Sequence, residues 1–167
     1  KVPLASDVEL ETLAAGTPGF SGADLENLVN EAALLAGREN REQVDMDTLM
    51  NSRDKVVMGG KREMVIGDEE KQMIAYHEAG HALVASLLPT ADPLDKVTII
   101  PRGQALGMTE QIPQQERHNL RESYLRDRIG VMLGGRNSEK LVFGEVSSGA
   151  EDDLKQATHL ARHMVTH

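Results

Sequence analysis

The chain has 167 residues and a net charge of −9, with 40% hydrophobic and only 2% aromatic residues. This length and composition indicate one or two small, soluble globular domains, and the acidic balance argues against nucleic acid as a partner. The chain contains no cysteine, which excludes disulfides and thiol chemistry, and no apolar run approaches the roughly 18–20 residues of a membrane span.

Helix signals begin near the N-terminus. Ser6 and Glu9 match a capping box that would open a short helix over "DVELETLAA", and Ser21 and Asp24 match a second box. The helix predicted after Ser21 carries an amphipathic stripe at three-and-four spacing, made of Leu25, Leu28, Val29, Ala32, Ala33 and Ala36.

A third helix is predicted to start at Asp45 or Asp47, either of which could cap it, and to reach about Val57. Three helices of this length predict a small helical bundle over residues 1–58. Two glycines and then basic residues follow, so we predict a linker over residues 59–66.

The remaining residues, 67–167, predict a mostly helical unit with a small β element. Asp68 is the expected cap of a helix that runs to about Leu88, and Pro89 is consistent with its end. The β-branched run at residues 96–103, "KVTIIPRG", predicts a strand whose proline favours an edge position.

Beyond that strand, "QALGMTEQIPQQ" is compatible with either strand or loop. A long helix is predicted over residues 116–142, with a kink or break at the glycine pair 134–135. Ser148 and Glu151 match a third capping box, which would open the final helix. The predicted fold class is therefore mainly α.

One stretch of the second unit points to metal chemistry. In "AYHEAGHALV", His77 and His81 are four residues apart, so both imidazoles can point at one ion from one face of a helix. Glu78 is rotated by about 100° from His77 and could take a proton from a metal-bound water. The pattern matches the His-Glu-x-x-His motif of zinc hydrolases, and the competing interpretation is two histidines that happen to share a helix face.

A catalytic zinc usually has a third protein ligand, which the motif does not supply. The residues after His81 do not continue as HxxGxxH, and no glutamate follows at the spacing of thermolysin-like enzymes. The nearby acids Asp92, Asp95 and Glu110 offer carboxylates, but the first two flank a proline before a strand and are better read as solvated turn residues.

The final helix contains a stronger candidate. Asp153 falls within the apolar arc of that helix, whereas Asp152 falls on the polar side. An ion would relieve the cost of an inward-facing carboxylate, and a salt bridge or a helix cap would do so equally well. The apolar arc consists of Leu154, Ala157, Leu160, Ala161 and Met164.

Glu139 is the rival ligand. It lies on the same side of its helix as Leu125, Ile129 and Met132. It could instead pair with Arg136, three residues earlier, or orient a ligand histidine from behind.

Five stretches, taken together and in order, resemble the FtsH family, the membrane-anchored ATP-dependent zinc metalloproteases of bacteria, mitochondria and chloroplasts. The stretches are "TPGFSGADLENLVNEAALLA", "AYHEAGHALV", "DKVTIIPRGQALGMT", "LGGRNSEKLVFG" and "SSGAEDDLKQATHLARHMV". The resemblance implies that residues 1–58 are the helical lid of an AAA+ ATPase module and that residues 67–167 are a C-terminally truncated zinc metallopeptidase domain.

The resemblance also implies roles for individual residues. His77 and His81 correspond to zinc ligands, Glu78 to the general base, and Asp153 to the third ligand. In the lid, Gly22 and Ala23 would lie near the adenine of a bound nucleotide. Where family members often read Ala-Glu-Glu, this chain has Ser138, Glu139 and Lys140, which departs from the pattern.

The implied function is ATP-dependent degradation of unfolded and membrane proteins by a homohexamer with one Zn²⁺ per protomer. ATP and Mg²⁺ would bind an ATPase core that this chain lacks. The parent protein would be membrane-anchored, with this part on the cytoplasmic, matrix or stromal side. Since the chain starts at Lys1 and ends in an uncapped helix, we expect a piece of a longer protein. The alternative is a non-catalytic lid or scaffold piece with a vestigial zinc site.

Overall fold

The computed structural model describes residues 2–113, 117 and 119–166. Within them the chain is mainly α, as predicted, with one two-stranded antiparallel sheet. The elements are α1 (Leu10–Ala15), α2 (Gly22–Arg38), α3 (Met46–Met58), α4 (Asp68–Leu87), β1 (Leu94–Thr98), β2 (Met108–Gln111), α5 (Glu122–Phe143) and α6 (Glu151–Thr166). They form two compact units, one reaching Arg62 and including Arg102–Ala105, the other comprising Glu63–Pro101 and the residues from Leu106 onward.

The first unit is a helical bundle around a small apolar core. Ser21 and Asp24 form the predicted capping box of α2, and Asp45 caps α3 by accepting a hydrogen bond from the amide of Thr48. The expected box at Ser6 is wrong: α1 begins at Leu10, and no side chain caps it. The buried core consists of Leu13, Leu28, Ala32, Ala36, Val44 and Leu49.

The first unit also buries charged side chains. Arg53 is 2% exposed, and its Nε donates to the carbonyl of Gly16. Asp54 lies 3.5 Å from the guanidinium of Arg102, which is buried as well. Since buried charges must be paired, these contacts tie α3 to the turn after α1 and to residues 102–105.

The second unit is organised by α4 and α5, which pack closely through glycines. A Cβ built at Gly134 would lie 2.6 Å from the carbonyl oxygen of Gly80. The sequence predicts a kink or break at Gly134-Gly135, and the break is wrong, since α5 runs unbroken through both. The glycines serve close helix packing instead, which places the middle of α4 directly against α5.

The sheet and the helix starts differ in detail from the sequence predictions. The strand predicted at 96–103 forms instead at Leu94–Thr98 and pairs with β2, so that Val97 lies opposite Thr109. The capping residue of α4 is Gly67, so that Asp68 is the first helical residue. The predicted start of α5, Glu116, lies outside the described residues, and the helix begins at Glu122.

A short 3-10 turn, Ser148–Ala150, precedes α6. Its cap is Ser147, whose hydroxyl accepts from the amide of Gly149, and not Ser148 as the sequence pattern suggested. Among the described residues, none of the helices combines the length and the apolar character needed to cross a membrane.

Candidate metal centre

Three side chains from two helices converge in the second unit. Nε2 of His77 and Nε2 of His81, both on α4, are 2.9 Å apart. Oδ2 of Asp153, from the first turn of α6, lies 3.0 Å from the first nitrogen and 3.2 Å from the second. The structure therefore brings together the two motif histidines and the aspartate selected from the apolar face of the last helix.

The outer nitrogens of both imidazoles are already engaged. Nδ1 of His77 donates to Oε1 of Glu139 at 2.6 Å, and Nδ1 of His81 donates to the carbonyl of Val131 at 2.6 Å. A neutral imidazole that donates through Nδ1 keeps a lone pair on Nε2. Both Nε2 lone pairs therefore face each other and the Asp153 carboxylate.

Three acceptors pointing at one another repel unless a cation or a proton lies between them. The donor set of two imidazoles and a carboxylate is typical of a catalytic zinc site. Ligand atoms of a tetrahedral ion at about 2.0–2.1 Å stand about 3.3 Å apart. The three separations observed here are close to that value, so His77, His81 and Asp153 fit a metal ion.

The pKa values of His77, His81 and Asp153 reflect the closeness of these three acceptor groups. Burial is the largest single influence and disfavours protonation of His77 and His81, but hydrogen bonds and nearby charge, led by the hydrogen bond to Asp153, together outweigh it and raise the pKa of both. Burial acts to raise the pKa of Asp153, but its hydrogen bonds to the two histidines lower it to about 2. Without an ion, a proton relieves the repulsion in the cluster.

Glu139 lies behind the cluster. It is only 1% exposed, and besides His77 it accepts hydrogen bonds from the amide of Ser147 at 2.6 Å and from its hydroxyl at 3.1 Å. Among the described residues it forms no ion pair with Arg136. Its carboxylate contacts the outer nitrogen of His77, where it orients the ring, and does not converge with the three inner donor atoms.

Glu78 is the remaining side chain of the His-Glu-x-x-His motif and is 7% exposed. Its Oε2 accepts a hydrogen bond of 2.7 Å from the hydroxyl of Thr109 on β2. Burial raises the pKa of Glu78, against the opposing influence of that hydrogen bond. A carboxylate with a raised pKa beside a cluster that fits a metal ion is suited to proton transfer.

Gly135 borders the candidate site, although the sequence analysis interpreted it only as a helix kink or break. A Cβ built there would lie 2.5 Å from Nε2 of His77 and 2.6 Å from Nε2 of His81. Any side chain would therefore displace the imidazoles. Two adjacent glycines in a predicted helix were the only signal, and they do not tell which atoms face them.

The remaining candidates lie elsewhere. Asp152 is solvated as expected, with 87% of its side chain exposed. Asp92 is not the solvated turn acid that the sequence suggested, because it is buried and accepts a 2.5 Å hydrogen bond from Tyr124. In the first unit, Gly22 and Ala23 form the exposed first turn of α2.

Models of two known domains match the sequence of this chain. A sequence model described as "Peptidase family M41" matches residues 64–167, and one described as "AAA+ lid domain" matches residues 7–51.

Curated relatives carry consistent names. The chain is 67% identical over 164 residues to "ATP-dependent zinc metalloprotease FtsH" of Nitrosococcus oceani, covering 98% of this chain and 26% of that protein. It is 56% identical to FtsH 2 of Salinibacter ruber, over 98% of this chain and 24% of that protein. It is 55% identical to FtsH of Marinobacter nauticus, over 99% of this chain and 26% of that protein.

The chain thus spans about a quarter of the length of these relatives. The resemblance to FtsH drawn from the sequence motifs is confirmed by the names of the relatives and by both matched domains. Because the peptidase match covers more than half of its residues, the chain belongs to peptidase family M41.

Proposed function

We propose that the second unit is the zinc-binding part of a metalloendopeptidase and that Glu78 is its general base. The observation that carries this proposal is the convergence of three acceptor atoms, from His77, His81 and Asp153, within 3.2 Å of one another. A buried carboxylate follows directly after the first of these residues in the chain.

Each residue has a separate task in this proposal. His77, His81 and Asp153 would hold the ion, and Glu139 and the carbonyl of Val131 would fix the two imidazole rings. Zinc, when bound, would polarise the scissile carbonyl and make a bound water more acidic. Glu78 would accept a proton from the attacking water and give it to the leaving amine as the peptide bond breaks.

The activity of the whole protein is a wider proposal. The names of the relatives and the lid match support an ATP-dependent zinc metalloprotease. The resemblance to FtsH adds to this proposal unfolded or membrane proteins as substrates and a membrane-anchored hexamer as the assembly. In that protein the first unit would cover a bound ATP·Mg²⁺, with Gly22 and Ala23 near the adenine. Residues 1–58, 59–66 and 67–167 remain the predicted lid, linker and peptidase segments.

The test compares Glu78→Gln with the unchanged sequence in the whole protein that carries this chain. We expect Glu78→Gln to retain about one zinc per chain while degradation of casein falls by about 100-fold or more. Continued degradation at the original rate would contradict the role of Glu78. An unchanged protein that binds zinc but never cleaves would favour the non-catalytic lid or scaffold alternative.

A further inference from the structure

The strand β2 contacts Glu78 directly. The hydroxyl of Thr109 lies 2.7 Å from Oε2 of Glu78 and 3.0 Å from the backbone carbonyl of the same residue. A threonine hydroxyl has one proton to donate, and a charged oxygen is the stronger acceptor. The shorter contact is therefore the one that holds the carboxylate.

The other oxygen of Glu78 faces a glycine. A Cβ built at Gly107 would lie 2.7 Å from Oε1 of Glu78 and 2.8 Å from its Cγ, distances that real Cβ atoms essentially never show. Within the described part of the chain, Oε1 forms no hydrogen bond. Oε2 of Glu78 is thus held by a hydrogen bond, and the absence of a side chain at Gly107 leaves space beside Oε1.

We propose that Gly107 and Thr109 form a socket, the β2 socket, that fixes Glu78 through Oε2 and leaves Oε1 as the atom that accepts the proton. This inference rests on the proposed function of Glu78. Oε1 takes the proton as the water oxygen bonds to the carbonyl carbon. The same proton passes to the amine nitrogen as the C–N bond breaks.

The socket has a physical advantage. A glutamate side chain has several rotatable bonds, and its two oxygens exchange positions by rotation of the carboxylate. Holding one oxygen in advance removes this freedom before the reaction, and small misplacements of a catalytic group lower rates steeply. Thr109 is therefore a positioning residue, which acts through Glu78.

A purely structural role for Thr109 would be to tie the β hairpin to α4. Thr98 on β1 is a matched control, because its hydroxyl accepts from the nearby amide of Ile100 and not from the motif helix. Thr98→Val and Thr109→Val make the same chemical change on the same hairpin. Thr109→Ser keeps the hydroxyl and serves as the conservative variant.

The experiment measures kcat and KM for cleavage of a peptide, zinc content and melting temperature in the whole protein. We expect Thr109→Val to lower kcat by about 10- to 100-fold, with KM and zinc content close to those of the unchanged protein. Thr109→Ser and Thr98→Val should stay within about threefold of the original kcat.

Two results overturn the inference. One is equal kcat in Thr109→Val and Thr98→Val, and the other is a fall in kcat that parallels loss of zinc or of melting temperature. Glu78→Gln, run beside them, separates the two proposals. If Glu78→Gln abolishes cleavage while Thr109→Val keeps the same kcat as Thr98→Val, only the socket is wrong. If Glu78→Gln has no effect on cleavage, the proposed function fails first.

Discussion

Glu139 accepts a 2.6 Å hydrogen bond from Nδ1 of His77, although 62 positions separate the two residues. This contact fixes the tautomer of His77 and turns its Nε2 toward His81 and Asp153. Glu139, the rival ligand of the sequence analysis, therefore contacts the outer nitrogen of His77 and not the space between the three converging atoms. Its contribution to metal binding can be measured.

Replacing Glu139 should weaken zinc binding without abolishing it. Glu139→Gln removes the negative charge behind His77, and partners of this kind typically contribute 10- to 100-fold to metal affinity. We expect zinc affinity, measured by competition with a chelator, to fall by about 10- to 100-fold. Glu145→Gln, at an exposed position just beyond the end of α5, is the control and should bind zinc as tightly as the unchanged protein. Equal affinities in the two variants would contradict the orienting role.

Gly135→Ala should prevent zinc binding. The added Cβ would lie within 2.6 Å of the inner nitrogens of both histidines. Alanine is a better helix former than glycine, so the helix content measured by circular dichroism should not fall. Gly67→Ala is the control, because a Cβ there meets open space. Full zinc content in Gly135→Ala would show that the imidazoles can move aside.

Tyr124→Phe should destabilise the second unit. The Tyr124 hydroxyl donates to Oδ2 of the buried Asp92, whose other oxygen lies 3.2 Å from the guanidinium of Arg117. A buried acceptor that loses its donor costs about 1–3 kcal/mol. We expect the free energy of unfolding, measured by urea titration, to fall by about 1–3 kcal/mol. Tyr76→Phe removes a hydroxyl from a half-exposed ring that packs edge-on against Phe143, and should change little. Equal stabilities would mean that water replaces the lost donor.

The motif histidines could be placed from the sequence because the geometry of a single helix relates them. Asp153 could be separated from Asp152 for the same reason, since only one of the two falls within the apolar arc of α6. These inferences need a helical period and no knowledge of how helices pack.

Contacts between elements could not be predicted in this way. Thr109 meets Glu78 because of the register of the β hairpin, and Gly135 meets the imidazoles because of the close approach of α4 and α5. Local patterns also failed where two residues fit equally well. Ser147 and Ser148 are adjacent potential caps, and the choice between them depends on how the 3-10 turn packs ahead of α6.

The central claim is that Asp153 completes the metal site begun by His77 and His81. The most direct measurement is the zinc content, by mass spectrometry after dialysis, of the unchanged chain, Asp153→Asn and Asp152→Asn. We expect about one zinc per chain in the unchanged protein and in Asp152→Asn, and far less in Asp153→Asn. A full zinc complement in Asp153→Asn would contradict the site described for this protein.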